Sequence, residues 1–299
     1  MSASEAVAPG AVEAARYGEI YDRGYQHYDG PRLGRRHAIW SLVLYSMKRA
    51  VGIKKGWSAK IIPILLYVAV SLPVVVTIGL RAFLPTAGGL DYPTFFGLIF
   101  LIEGIFVATI APEMLCGDRR ENVLPLYFSR AITRADYLLA KLLAAGLLTL
   151  SVSLIPGAVL WLGFQLLEDR PLAAMRDNLG DLGRIAVAGT MIAIYLGAIG
   201  LLISSFTGRK SIAVGVIVLG FLITEALAGT LIINLDEDQP LRRYVVFLSP
   251  LNTVGALVGR LFDQQIVESD VGLWLILAVM LGVVLVCWGI IYLRYVPDE

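Results

Sequence analysis

Residues 271–293 read VGLWLILAVMLGVVLVCWGIIYL and contain no charged side chain. A helix of about 20 apolar residues crosses the roughly 30 Å hydrocarbon core of a bilayer. Backbone groups in lipid find no water, so a single segment satisfies their hydrogen bonds only by forming a helix. This stretch therefore predicts a membrane-spanning helix.

Five further stretches of this kind precede it, at 61–80, 94–111, 142–164, 185–206 and 212–235. Of the 25 basic and 24 acidic residues in the chain, only Glu103 and Glu225 fall inside the six spans. Hydrophobic residues make up 57% of the chain and charged residues 16%, against about 45–50% and about 25% in soluble domains. We expect an all-α polytopic membrane protein whose transmembrane domain, 61–293, has six helices.

The positions of Lys and Arg predict how the spans are oriented. Eighteen of the 25 lie in the segments before the first span and after the last, or in the second and fourth connections. The positive-inside rule then places both termini and residues 112–141 in the cytoplasm, with residues 236–270 outside. The N-terminus lacks the apolar core of a cleavable signal peptide, so the first span directs insertion into the plasma (inner) membrane.

Several classes of function are disfavoured by what the sequence lacks. The net charge of +1 provides no basic field for nucleic acid. The phosphate-binding pattern GxxxxGK[ST] does not occur, so the chain by itself is not expected to hydrolyse ATP. Its two histidines, His27 and His37, precede the first span, and Cys116 and Cys287 lack metal-ligand spacing. We expect no catalysis, cofactor or metal on this chain.

The chain before the first span divides into a cytoplasmic tail, 1–36, and an amphipathic helix, 37–60, that lies along the membrane surface. Apolar residues recur there at helical spacing, at Trp40, Val43, Leu44 and Met47. Lys54 and Lys55 suit anionic lipid headgroups, and Trp57, like Trp40, suits an interfacial anchor. The alternative is that this segment only supplies positive charge for topology.

The second connection, 112–141, reads PEMLCGDRRENVLPLYFSRAITRADYLLAK and has 30 residues, whereas TGRKS at 207–211 turns the chain in five. A charged piece from Asp118 runs into apolar residues, which predicts a short amphipathic element that can dock on a partner. Thr133 and Asp136 form a T-x-x-D capping box that would start the third span near Arg134.

The stretch from Asp118 to Ala144, DRRENVLPLYFSRAITRADYLLAKLLA, resembles the signature between the second and third helices of ABC-2 type permeases. That family also has six spans, an N-terminal interfacial helix and an external loop between the last two spans, in a type V exporter-like fold. The resemblance implies a permease subunit that exports a substrate, driven by a separate ATP-binding subunit that holds ATP and Mg. It further implies a second permease copy, identical or related.

In the family this connection contains the coupling helix, expected here within 113–134. The resemblance implies that seven residues make or support the ATPase contact: Asp118, Arg119, Arg120, Leu124, Tyr127, Arg130 and Arg134. The sequence departs from the family pattern at Asn122, Val123 and Ala131, where many relatives have a Gly-Thr pair and a proline. The alternative is that the arginines only set topology while the apolar residues pack beneath the bundle.

Glu103 and Glu225 need an explanation, because a charged group at the membrane centre costs about 2.5–3.5 kcal/mol on insertion scales. They either line a path for substrate, protons or cations, or bond to a neighbouring helix. If Glu103 and Glu225 line a path, the chain could be a secondary transporter that uses both acids as proton or cation sites and needs no ATPase. A third hypothesis is a scaffold that recruits soluble proteins. Short helices around Pro250 in the external loop would gate or seal the outer mouth.

Overall fold

The structure is a computed structural model that describes residues 30, 33–53, 56–84, 89–121, 123, 127, 132–236, 239–264 and 271–295. The tail, 1–36, lies almost entirely outside these residues, as do Lys54, Lys55, Leu124 and Arg130. The helices belong to one compact unit, Gly34–Glu299. No strand occurs among the described residues, which agrees with the predicted all-α class.

Six helices are long and apolar enough to cross a membrane, which confirms the predicted number. They are α2 (Trp57–Phe83), α3 (Tyr92–Arg120), α4 (Arg134–Leu166), α6 (Leu179–Phe206), α7 (Lys210–Asn234) and α9 (Leu273–Tyr295). Each lies over one predicted apolar stretch.

The second connection differs most from its predicted bounds. Helix α3 continues beyond its apolar stretch to Arg120, and α4 begins at Arg134, so most of 112–141 is helix. The start of α4 is the predicted capping box. The Thr133 side chain accepts a hydrogen bond from Asp136 N at 3.2 Å, and the Asp136 side chain accepts one from Thr133 N at 3.0 Å. Residues 113–120 therefore belong to a spanning helix. The coupling helix expected within 113–134 stays a prediction, because most of residues 121–133 lie outside the described residues.

The predicted surface helix over 37–60 is divided into two. Helix α1 (Arg35–Ala50) ends before a turn at Gly52, whose φ of +78° favours glycine. A Cβ atom there would also lie 3.0 Å from the carbonyl oxygen of Ala59. Trp57, 79% exposed, begins α2.

Helix α1 packs on the bundle with a face that differs from the predicted one. Its buried residues are Leu42, Val43, Ser46 and Ala50. Of the predicted apolar face, Val43 points into the protein, whereas Trp40 and Leu44 are exposed by 56% and 51%. An exposed tryptophan beside a packed face suits a helix that contacts the bundle on one side and lipid on another.

The centre of the bundle consists of α3, α4 and α6. The most apolar part of each helix is buried by half or more: 61% in α3, 50% in α4 and 61% in α6. In α7 the buried share of the same part is only 11%. Helices α4 and α6 approach closely because Gly189 lies against Ser153, and Gly197 lies against the backbone at Gly146. Helix α7 therefore leaves most of its surface available to lipid or to another chain.

The shorter elements lie between the spans. Helix α5 (Pro171–Asp177) follows α4, and a 3₁₀ helix (Arg242–Phe247) and α8 (Pro250–Leu261) occupy the connection between α7 and α9. Helix α8 has half of its residues buried, among them Thr253 and Leu257. The connection thus contains short helices around Pro250, as predicted. The two ends of the bundle are called here the α1 end and the α8 end.

Candidate functional site

The α1 end is organised around Asp118, whose side chain is completely buried. Its Oδ1 accepts a hydrogen bond from Arg49 Nη1 at 2.7 Å. Its Oδ2 lies 2.7 Å from Lys141 Nζ and accepts a hydrogen bond from the Tyr137 hydroxyl at 2.8 Å. These four residues are called the Asp118 cluster. Because they come from α1, α3 and α4, one carboxylate joins three helices.

The backbone of α3 makes room for this arrangement at Gly117. A Cβ atom there would overlap Arg49 Nη2, so only glycine lets the guanidinium lie against the helix. Arg49 also donates to the Glu121 carboxylate, with both oxygens 3.1 Å from Nη2. Burial lowers the pKa of Arg49, but the charges of Asp118 and Glu121 outweigh burial and leave that pKa above its ordinary value.

A second ion pair holds the other end of α1. Arg35 Nε and Nη2 each lie 2.8 Å from one oxygen of Asp136, which is the bidentate geometry of strong guanidinium–carboxylate pairs. Asp136 is also the capping-box residue of α4, so the same carboxylate caps the start of α4 and binds Arg35 of α1. The Arg35 side chain is 59% exposed, so this pair is screened by solvent and stabilises the protein less than the buried cluster.

Five of the seven predicted coupling residues lie among the described residues, and these five do not share one surface. Asp118 is buried, so it can support an ATPase contact but not touch the ATPase. Arg119 donates to the backbone oxygen of Ser205 in α6, and Arg134 to that of Tyr295 in α9, at 3.5 Å for the second. Arg119 thus links α3 to α6, and Arg134 links α4 to α9.

Arg120 and Tyr127 have more exposed positions. The Arg120 side chain is 65% exposed and lies 3.7 Å from the Glu121 carboxylate. Tyr127 is half-buried, with its ring centroid 5.7 Å from that of Tyr137. Burial first, and then the negative charge of Asp118, raises the pKa of Tyr127 to about 12. Leu124 and Arg130 remain predictions, because they lie outside the described residues.

The short turn between α6 and α7 is attached to the same end of α3. Lys210 forms an ion pair with Glu113, and Cys116 Sγ lies 3.2 Å from the backbone oxygen of Thr207. Through these contacts the last turns of α3 touch α1, α4, α6 and α7. A displacement of the last turns of α3 would therefore also displace the four helices that they contact.

Sequence reasoning did not identify Arg49, Lys141 or Glu113 as members of the site. Arg49 and its partner Asp118 are 69 positions apart, and no local pattern relates them. A signal did exist for Lys141, because it follows Tyr137 by one helical turn and is the only charged residue between 137 and 166. A lysine in that position needs a buried acid or a route to water.

Glu103 is completely buried in α3, and its polar neighbour is Ser153 of α4, although neither carboxyl oxygen has a well-formed hydrogen bond among the described residues. Glu225 is half-buried in α7, and the Ser249 hydroxyl donates a hydrogen bond to its Oε2. In the described part of the chain no hydrogen bond or ion pair joins the two carboxyls. Ser249 also begins α8 as its N-cap, accepting from the backbone N–H of Leu251 at 3.1 Å.

Among the described residues no group of three or more His, Cys, Asp or Glu side chains is placed to hold a metal ion. The expectation that the chain carries no metal or cofactor stays a prediction.

Comparison with known proteins supplies the family. No curated protein matches the chain. The model of the family described as "ABC-2 family transporter protein" matches residues 2–296, which is nearly the whole length. Members of this family are the membrane-embedded subunits of ABC transporters and associate with a separate ATP-binding subunit. The chain therefore belongs to the ABC-2 type permeases, as a multi-pass membrane subunit of an ABC transporter.

Proposed function

We propose that this permease exports a substrate across the plasma membrane, driven by ATP hydrolysis in a separate ATP-binding subunit. ATP and Mg²⁺ bind that partner, and two permease copies, identical or related, work together. The observation that carries the proposal is the Asp118 cluster, which joins α1, α3 and α4 directly beside the exposed Arg120.

The excess of Lys and Arg on this side of the sequence supports a cytoplasmic position for the α1 end. The α8 end then faces outward, where α8 covers part of the bundle. An ATPase that docks near Arg120 and Tyr127 would meet the ends of three joined helices.

Coupling in this arrangement is mechanical. When two ATP-binding subunits close on ATP, they push the end of α3 on each permease copy. Asp118 passes the displacement to α1 and α4, and Arg119 and Glu113 pass it to α6 and α7. Packed helices switch between discrete arrangements and do not deform continuously, so a small shift at this end changes the packing at the α8 end. ATP and transport are linked only because the contacts differ between these arrangements.

The proposal is tested by purifying the tagged full chain from its native membranes with and without Arg120→Glu. Arg120 is 65% exposed and its pair with Glu121 at 3.7 Å is weak, so the variant keeps its fold. We expect the ATP-binding subunit to co-purify with the wild type and to be lost from the variant.

Arg243→Glu is the matched control, because Arg243 is an exposed arginine at the α8 end. Retention of the ATPase by Arg120→Glu, or its loss from Arg243→Glu alone, would contradict the proposed position of the contact.

One observation favours a second candidate, a secondary transporter. Glu103 is a completely buried carboxyl within a span, with Ser153 as its polar neighbour, and acids within spans are typical of ion and proton pathways. The two candidates are separated by reconstituting the chain without any ATPase. Uptake of a substrate driven only by a proton or cation gradient, and abolished in Glu103→Gln, would establish the second.

A further inference from the structure

A cavity of about 240 Å³ lies between α3 and α8, near the α8 end of the bundle. Seven of its eight lining residues are apolar or glycine, and the eighth is Asn252. Phe100, Val254 and Val258 form buried parts of the wall. Gly97 lies where the wall is exposed, and a Cβ atom on Gly97 would meet no atom within 4 Å. The cavity is therefore open at this point.

The size and the lining indicate what the cavity can hold. An apolar cavity of about 150 Å³ stays dry and binds benzene, because water loses hydrogen bonds on entering it. A cavity of 240 Å³ with this lining therefore suits a larger apolar group, such as an alkyl chain. Asn252 is the only lining residue with a polar side chain.

A carboxylate is linked by hydrogen bonds to the wall of this cavity. Glu225 accepts a hydrogen bond from Ser249, and Ser249 accepts from the backbone N–H groups of two lining residues, Leu251 at 3.1 Å and Asn252 at 3.4 Å. One serine hydroxyl thus separates the carboxylate from the cavity wall. Helix α7 also contacts the wall: Phe221, one turn before Glu225, packs on the lining residue Phe100 with ring centroids 6.4 Å apart.

This carboxylate differs from those at the α1 end. Asp118, Asp136 and Glu113 each form an ion pair with a lysine or arginine. Glu225 has no basic partner within the part of the chain that the structure describes. The N-terminus of α8 begins beside it, because the N-cap residue Ser249 donates to the Glu225 carboxylate. The site therefore combines an apolar cavity with an acid that has no basic partner among the described residues.

We propose that the cavity binds the alkyl chain of a cationic amphiphile whose positively charged head group pairs with Glu225. The inference rests on the proposed function, because it names the substrate class of the exporter. Charge complementarity favours a cation over a neutral or anionic lipid, since only a cation supplies the partner that Glu225 lacks.

The test is direct binding to the purified full chain in phosphatidylcholine nanodiscs, with no ATPase and no ATP present. Radiolabelled octyltrimethylammonium is the probe, and octyl glucoside is its uncharged counterpart, both far below their micellar concentrations. Binding to empty nanodiscs is subtracted. Because ATP hydrolysis plays no part, failure of this assay overturns the cavity assignment alone, whereas failure of ATPase co-purification overturns the proposed coupling alone.

We expect the wild type to bind the cation at least about tenfold more tightly than the uncharged probe. Glu225→Gln removes this preference and leaves the Kd for octyl glucoside unchanged. Gly97→Leu fills the open part of the cavity and weakens binding of both probes. Glu168→Gln, at an exposed acid of the α4–α5 connection, and Gly289→Leu, at an open position on α9, serve as controls and leave both Kd values unchanged.

A purely structural role for Glu225 is excluded by Ser249→Ala, which breaks the bond to α8 but leaves the carboxylate in place. In the proposed site this variant keeps the preference for the cation. Equal binding of the two probes by the wild type, an unchanged preference in Glu225→Gln, or the same loss in Ser249→Ala as in Glu225→Gln would each overturn the proposal.

Discussion

Replacing Asp118 by asparagine tests the energetic role of the buried cluster. The variant keeps the size of the side chain but leaves Arg49, whose side chain is 11% exposed, and Lys141, which is 1% exposed, without their shared negative charge. Removing one partner of a buried ion pair costs about 3–5 kcal/mol, because the remaining charge stays desolvated. Total stabilities are about 5–15 kcal/mol, so this loss is a large fraction of the whole.

The loss is smaller for Lys141→Met, because Asp118 then keeps Arg49 and Tyr137 as partners while the desolvated lysine is gone. We therefore expect Asp118→Asn to be the more damaging change and the double variant Asp118→Asn with Lys141→Met to recover part of its loss. The free energies of unfolding are measured in detergent by denaturant titration followed by circular dichroism.

A thiol-reactive dye provides a local readout of the same change. Cys116 and Cys287 are both buried, and Cys116 lies two residues before Asp118. In a Cys287→Ser background, Cys116 in Asp118→Asn is expected to react faster than in the parent. The reasoning is refuted if Asp118→Asn loses less than about 1 kcal/mol, or if the double variant is less stable than Asp118→Asn alone.

Three further predictions concern other parts of the molecule. Gly200→Ala is expected to destabilise the protein by about 1–3 kcal/mol in the same titration, because a Cβ atom there would overlap a side chain of α3, whereas Gly289→Ala at an open position leaves stability unchanged. Equal stability of the two variants would contradict the close packing. Asp91→Ala is expected to cost about 1 kcal/mol, because the Asp91 side chain accepts the N-cap hydrogen bond from Thr94 N at 3.0 Å. Burial raises the pKa of Asp91, but the hydrogen bonds from Thr94 outweigh burial and leave that pKa below its ordinary value. The difference in the free energy of unfolding between Asp91→Ala and the wild type is therefore present above about pH 4 and vanishes as the pH falls through the folded-state pKa. A difference that grows in acid would exclude this cause. Glu103→Gln is expected to leave thermal stability unchanged or higher, because glutamine can still bond to Ser153 and removes a completely buried acid; a large fall in melting temperature would contradict this.

The positions of the six spans were predictable because length and hydropathy are local properties. A run such as 212–235 is stable as a helix in lipid whatever its neighbours are, because its backbone hydrogen bonds form within the helix. Helix α7 accordingly covers Lys210–Asn234. The capping box at Thr133 was predictable for the same reason, since its two partners are three residues apart. The bounds of α3 were less accurate, because charged residues up to Arg120 remain helical wherever partners satisfy them.

The candidate site was predictable only in part. The sequence marked Asp118 and its neighbours as unusual, and the resemblance supplied a role for them, but no pattern indicated that Asp118 is buried. Likewise Glu225 was recognised as an acid within a span, while its bond to Ser249 and the cavity beside it were not. Both cases depend on side chains that meet only after the helices have packed.

The amino-acid sequence by itself determined the number of spans, their helical form and the family, because each follows from the composition and order of residues within single segments. Only the tertiary structure decided that Arg49 reaches Asp118 across 69 positions, over a glycine that leaves it room. It also decided that Glu225 stands without a basic partner among the described residues while the acids at the α1 end are paired. The physical reason is that the free energy of a charge depends on what surrounds it in space, and the surroundings of a buried side chain come from distant parts of the chain.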